Sequence, residues 1–187
     1  KISINTRHKY FQFLFAIFRF GLERGISVNR AFESYKFENK VETTLIALTR
    51  SDVEKIQNAV LNERLDKVRD VFLFQLYTGQ RYSDILSFNK LDLNGDIWFL
   101  RVRKTKKTLQ IPMIEPAKVI LEKYNYELPK ISNQKQNKYL KELGEICGLN
   151  EIINVLEYSG NDEVKKEVPK FTQITTHTAR RTFVSLA

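Results

Sequence analysis

Gln75-Leu76-Tyr77-Thr78-Gly79-Gln80-Arg81-Tyr82-Ser83-Asp84-Ile85-Leu86 is the stretch on which the fold turns. An apolar helix runs into it, Gly79 breaks that helix, and Arg81 stands at the break. A second helix starts behind the arginine, with Ser83 and Asp84 in its first turn. A guanidinium offers a rigid fork of donors and a helix start adds free backbone N–H groups, so such a corner suits a phosphate. Asp84, three residues past Arg81, can orient it or cap the helix. An Arg–Asp pair that merely stabilises a helix corner accounts for these residues equally well, because a buried arginine needs a partner.

Upstream, Leu65 to Tyr77 carries Val68, Val71, Phe72, Phe74 and Leu76 and is apolar almost all round at its end. Such a helix is expected at the centre of a domain. Before it, Thr49 is an N-cap with Asp52 in the first turn, and Val53, Ile56, Val60 and Leu61 are expected to face a core. Glu38 to Thr44 is polar and reads as a linker. In the block from Ile4 to about Lys36, Phe11, Leu14, Phe15, Phe18 and Leu22 recur at helical spacing, with Phe13, Ile17 and Phe20 widening the apolar face. One long helix and a short second one are expected there. The long one should bury itself against other helices, so the chain is expected to begin part-way through a helical domain.

Downstream, the period changes. Asn94-Gly95 is a turn signal and Ile97 to Arg103 is strongly β-forming, with Leu109 to Met113 as the returning strand. Arg101, Arg103, Lys104, Lys106 and Lys107 place five cations within seven residues around the hairpin tip. That is a DNA-facing patch or an ordinary solvated turn. Helices are expected from Glu115-Pro116, with Val119, Ile120, Leu121 and Tyr124 packing it, and from Asn137 to Cys147, with Pro129 and Asn133 bracketing the loop between. Ile152 to Leu156 and Val164 to Val168 read as paired strands around a Gly160-Asn161-Asp162 turn, and Lys165, Lys166 and Lys170 add positive charge. At the end, Thr175 or Thr176 caps a helix that puts His177 and Arg180 on one face of its first turn, followed by Arg181.

Composition narrows the class. With 187 residues and 42% hydrophobic content the chain is globular, and its formal net charge of +9 favours a polyanionic partner. Cys147 is the single cysteine, which allows no internal disulfide and suits a reducing cytoplasm. Phe11 to Phe20 is too short to span a bilayer and contains Arg19. No metal-ligand cluster is visible. The expected fold class is mainly α with a small antiparallel β-hairpin or sheet.

Together the motifs resemble one family, the tyrosine recombinases or phage integrases. Thr78-Gly79-Gln80-Arg81-Tyr82-Ser83-Asp84-Ile85 resembles its first arginine box. Arg103-Lys104-Thr105-Lys106-Lys107, closing on Ile111-Pro112, resembles its lysine-bearing hairpin, and His177-Thr178-Ala179-Arg180-Arg181-Thr182-Phe183 is similar to its second box. In style the sequence is similar to mobile-element integrases of Bacteroidetes-like bacteria. The resemblance implies that residues 1–38 are the end of a helical, SAM-like core-binding domain, 39–44 a linker and 45–187 a catalytic domain. It also implies a reaction: a tyrosine attacks a DNA phosphodiester, giving a 3′-phosphotyrosine and a free 5′-hydroxyl, without ATP or metal. Arg81 and Arg180 would clamp the non-bridging oxygens, His177 would hydrogen-bond the phosphate and aid proton transfer, and Asp84 would orient Arg81. Lys104 would be the general acid, with Lys106 as the other candidate, and Arg101, Arg103, Lys107 and Arg181 would meet DNA. The implied partners are double-stranded DNA and three further copies, as a homotetramer on paired sites.

The sequence departs from the family pattern in two ways. Ala179 and Arg181 stand where the family usually has leucine and histidine. The last tyrosine, Tyr158, precedes the second box, so no tyrosine can be assigned as nucleophile, and a fragment is expected whose nucleophile lies beyond residue 187. Three other classes compete. A DNA-binding regulator explains the charge but not the Arg–Lys–His–Arg set. A type IB topoisomerase shares the chemistry but is expected to carry a different second box. A binder of anionic membranes needs an exposed amphipathic helix, and Phe11 to Phe20 is apolar all round.

Overall fold

Helix α3, Glu63–Thr78, is buried over most of its length and is central to its unit. In the computed structural model, which describes residues 3–36, 44–102, 106–159 and 162–187, it starts with the Asn62 side chain accepting from the Leu65 N–H. Glu63 and Asp66 sit in its first turn, where carboxylates favour the positive end of the helix dipole. Its last two turns are buried on every side, Val71 through Leu76 included, as expected of a central helix. Truncating a residue such as Phe72 here would cost about 3–5 kcal/mol.

The chain divides into two compact units: residues 1–44 with 154–167, and residues 45–153 with 168–187. In the larger unit α3 packs against α2 (Arg50–Asn58), α5 (Glu115–Lys123), α6 (Asn133–Ile146) and α7 (Thr176–Leu186). Helix α2 begins with the expected cap, in which Thr49 and Asp52 each accept from the other's backbone N–H. One turn of helix, α4 (Tyr82–Ile85), follows α3. Three strands then pair in chain order: β1 (Leu93–Asn94), β2 (Ile97–Arg101) and β3 (Thr108–Pro112), both pairings antiparallel. Trp98 on β2 is fully buried, with Phe74 of α3 and Phe88 at ring-centroid distances of 6.1 and 5.2 Å, so the sheet shares the helical core. The fold class is thus mainly α with small sheets, as the sequence indicates.

Several expectations change. Val60 and Val119 are exposed rather than buried, at 97% and 55%. Residue 60 lies beyond the end of α2, and Val119 faces away from the Ala117–Ile120–Leu121 stripe of α5. Helix α6 starts four residues earlier than expected, because Ser132 caps it by accepting from the Lys135 N–H. Lys170 is no part of an external basic patch. It is buried, and its ammonium donates to Asp52 at 2.7 Å and Glu151 at 3.0 Å.

In the smaller unit, α1 (Ile4–Glu23) is followed by a 3₁₀ turn at Arg30–Ser34. Phe15 and Phe32 are buried against each other, centroids 5.3 Å apart, with Phe18 and Tyr35 beside them. Phe13, Ile17 and Phe20, expected to be buried, are exposed. One short turn of 3₁₀ helix covers only the Phe11–Phe15–Phe18 side of α1. Strands β4 (Ile152–Ser159) and β5 (Asp162–Pro169) pair as expected. The Gly160-Asn161 turn and the linker residues 39–43 lie outside the described residues. No helix among the described residues is long and apolar enough to cross a membrane.

Candidate active site

The site is built on the break between α3 and α4. Gly79 ends α3 with φ of 66°, in the left-handed region where a side chain is unfavourable, and its N–H returns to the Gln75 carbonyl. The buried Gln75 side chain donates to the Gln80 carbonyl at 3.0 Å, and Gln80 donates to the Thr78 carbonyl at 2.8 Å. These contacts hold the Thr78–Gln80 turn, which delivers Arg81 as the residue before α4. Arg81 keeps 39% of its side chain exposed, while its Nη1 lies 3.9 Å from Oδ2 of the buried Asp84. The ion pair leaves the exposed part of the guanidinium open to a ligand. Because α4 is a single turn, the helix-start field invoked from sequence is small, and Arg81 itself supplies the charge.

Tyr82 cannot share the arginine's role. Its side chain is buried and its hydroxyl donates to the Ile131 carbonyl at 2.5 Å. Burial pushes the phenol up to about 12.

Helix α7 brings in the second box. Thr175 precedes it, with its N–H donating to Thr178 Oγ1. Thr182 Oγ1 accepts from the Leu48 N–H at 2.9 Å in a buried contact, fixing the helix near its end. Arg180 then reaches across to the first box, and its Nη1 donates to the Gly79 carbonyl at 2.6 Å. Phe183, one turn on, lies over Gly79 so closely that a Cβ there would stand 2.5 Å from the ring. His177 is exposed in the first turn of α7 and, with Arg180, Arg181, Val184 and Ser185, lines an open cavity of about 430 Å³.

The structure therefore brings together Arg81, Asp84 and Arg180 at one corner, with His177 and Arg181 lining the adjoining cavity. Arg101, at the end of β2 opposite Thr108, and Lys106 and Lys107 are exposed around the hairpin end. Arg103 and Lys104 lie outside the described residues. Sequence reasoning missed three supporting contacts: the Gly79 carbonyl as the Arg180 acceptor, the Phe183 ring over Gly79, and the hold of Asn133 and Asn137 on Thr176. Each joins residues at least 39 positions apart, so no local pattern marks them. Chemically, two guanidiniums and an imidazole beside an open cavity suit a tetrahedral or pentavalent oxyanion.

This fold is that of the tyrosine recombinases. The chain superposes on a lambda integrase dimer bound to a COC′ core site at a TM-score of 0.63 and 19% identity, covering 94% of this chain and 62% of that one. The Tn1549 transposon integrase in complex with circular intermediate DNA matches at 0.63 and 16%, over 99% and 66%. The XerH site-specific recombinase bound to difH matches at 0.62 and 14%, over 99% and 54%. The chain thus spans between one half and two thirds of the length of these proteins. No family model and no curated protein matches the sequence.

Proposed function

We propose that this chain carries the phosphate-binding part of a tyrosine-type site-specific DNA recombinase. The observation that carries the reading is the 2.6 Å bond from Arg180 to the Gly79 carbonyl, which seats the second-box arginine two residues from Arg81. Cleavage of a phosphodiester gathers negative charge on the non-bridging oxygens, and fixed cations lower that barrier. In this reading Arg81 and Arg180 bind those oxygens, Asp84 orients Arg81, and His177 donates to the phosphate and passes protons. Lys104 protonates the leaving 5′-oxygen, while Arg101, Arg103, Lys106, Lys107 and Arg181 meet the DNA backbone. Residues 1–38 act as the end of a core-binding domain, joined by 39–44 to the catalytic domain. The whole protein acts on double-stranded DNA as a homotetramer in the cytoplasm. The lambda integrase tetramer bound to a Holliday junction, which this chain matches at a TM-score of 0.65 and 17% identity, supports that assembly.

Each tyrosine described in the larger unit has a partner within the fold. Tyr82 donates to Ile131, Tyr124 donates to Asp70, Tyr77 accepts from Gln57, and the Tyr126 and Tyr139 rings lie under Lys90 and Arg64. On this reading the 187-residue chain, in which no tyrosine is assigned as nucleophile, binds DNA without forming a covalent adduct. A denaturing gel with a nicked half-site checks this, and a shifted band would refute it. In the whole protein, Arg81→Ala should abolish the adduct and change DNA affinity less than about threefold, since one phosphate contact among many is removed. Wild-type levels of adduct in that variant would overturn the assignment.

A further inference from the structure

The first turn of α7, which carries His177 and leads to Arg180, is gripped from outside by helix α6. The Thr176 N–H is the first of the helix-start donors that have no partner within a helix. It donates to Asn137 Oδ1 at 2.8 Å. The Thr176 hydroxyl, fully buried, donates to Asn133 Oδ1 at 3.1 Å. Asn137 Nδ2 donates in turn to the same Asn133 oxygen at 3.4 Å, which fixes the Asn137 amide with its carbonyl toward α7. Asn133 and Asn137 are one helical turn apart at the start of α6, so the two amides form a single clasp on one residue. A cap supplied by another helix fixes rotation and height of the capped helix, where a cap from its own chain fixes only its start.

We propose that Asn137, supported by Asn133, is a positioning residue for the candidate active site: it sets His177 and Arg180 by holding the Thr176 N–H. It touches no substrate in this scheme and acts through the backbone one residue before His177. The consequence for catalysis rests on the recombinase reading above, whereas the clasp itself does not. Reacting groups displaced by a fraction of an ångström lose rate steeply without a matching loss of binding.

Two measurements on the whole protein decide it, using Asn137→Ala, Asn137→Asp and Asn133→Ala. The first is amide hydrogen exchange. Asn137→Ala should speed exchange at residues 176–178 and leave the middle of α6 unchanged, and Asn137→Asp, which keeps an acceptor oxygen, should restore slow exchange. Unchanged exchange at 176–178 in Asn137→Ala, or no recovery in Asn137→Asp, overturns the clasp. The second is the single-turnover cleavage rate at saturating DNA. Asn137→Ala should lower it by roughly tenfold with Kd unchanged, and Asn137→Asp should recover most of that. An unchanged rate, or a loss confined to Kd, overturns the positioning role. Should Asn137→Ala fail to fold, Asn133→Ala removes only the hydroxyl and amide contacts and is read by the same criteria. Failure of Arg81→Ala to abolish cleavage would instead sink the recombinase reading and leave the exchange result standing.

Discussion

Gly79 meets three demands at one position. It takes a left-handed φ, it offers its carbonyl to Arg180, and it leaves its Cα face to the Phe183 ring. Gly79→Ala is therefore expected to cost at least about 2 kcal/mol, from the positive φ and from the clash with Phe183 together. Urea unfolding of Gly79→Ala, Phe183→Ala and the double variant checks this. The double variant should cost less than the sum, because removing the ring makes room for the methyl, while about 1 kcal/mol of backbone strain persists. Additive costs would mean that the ring does not press on Gly79. The glycine's role as a helix stop is legible in the sequence. Its two tertiary roles are not, since Arg180 and Phe183 lie about a hundred positions away.

At the scale of elements, the Asp52–Lys170 pair ties the start of α2 to the 3₁₀ turn at Lys170–Gln173. Burial alone would push the Asp52 carboxyl up, but the hydrogen bonds from Lys170 and Thr49 and the ammonium charge outweigh it and hold the group below its usual range. Burial likewise lowers Lys170, and its bonds to Asp52 and Glu151 outweigh that and raise it. A carboxyl held low in the folded state contributes fully above the ordinary aspartate value of 3.8 and loses that contribution as pH falls through its lower folded value. A raised lysine contributes fully below 10.5 and loses that contribution as pH rises through its higher folded value. Between those limits the pair's contribution should be flat. Lys170→Met should destabilise by about 3 kcal/mol at neutral pH by stranding a buried carboxylate, and adding Asp52→Asn should recover part of it. Denaturant titrations at several pH values check both, and a fully additive double variant would show that the pair does not act as a unit.

For the whole molecule, the net charge of +9 is the relevant quantity. Fluorescence anisotropy with duplex DNA should show log Kd rising steeply with log salt. Lys106→Ala with Lys107→Ala should lower that slope by roughly 2, because each phosphate contact releases about one counterion. An unchanged slope would mean that these exposed lysines only solvate the hairpin end. The separation of surface cations from buried ones belongs to this scale. Lys106 and Lys107 are at the surface, whereas Lys170, counted with the basic residues on sequence grounds, is itself buried and committed to Asp52 and Glu151.

The amino-acid sequence by itself determined which segments are helices and strands and several of their ends, because caps, glycine stops, turns and apolar periods act within a few residues. Thr49 with Asp52, Gly79, and the strands flanking Asn94-Gly95 are of this kind. It also singled out Arg81, Lys104, His177 and Arg180, the residues on which the proposed function rests, through the resemblance of its boxes to those of a family. Only the tertiary structure decided what each group faces. Val60 and Val119 went to solvent, Lys170 went inside, Arg180 found the Gly79 carbonyl, and two asparagines of α6 took hold of Thr176. Burial and long-range hydrogen bonds depend on what the folded chain brings alongside a residue, and that partner lies outside any local window of sequence.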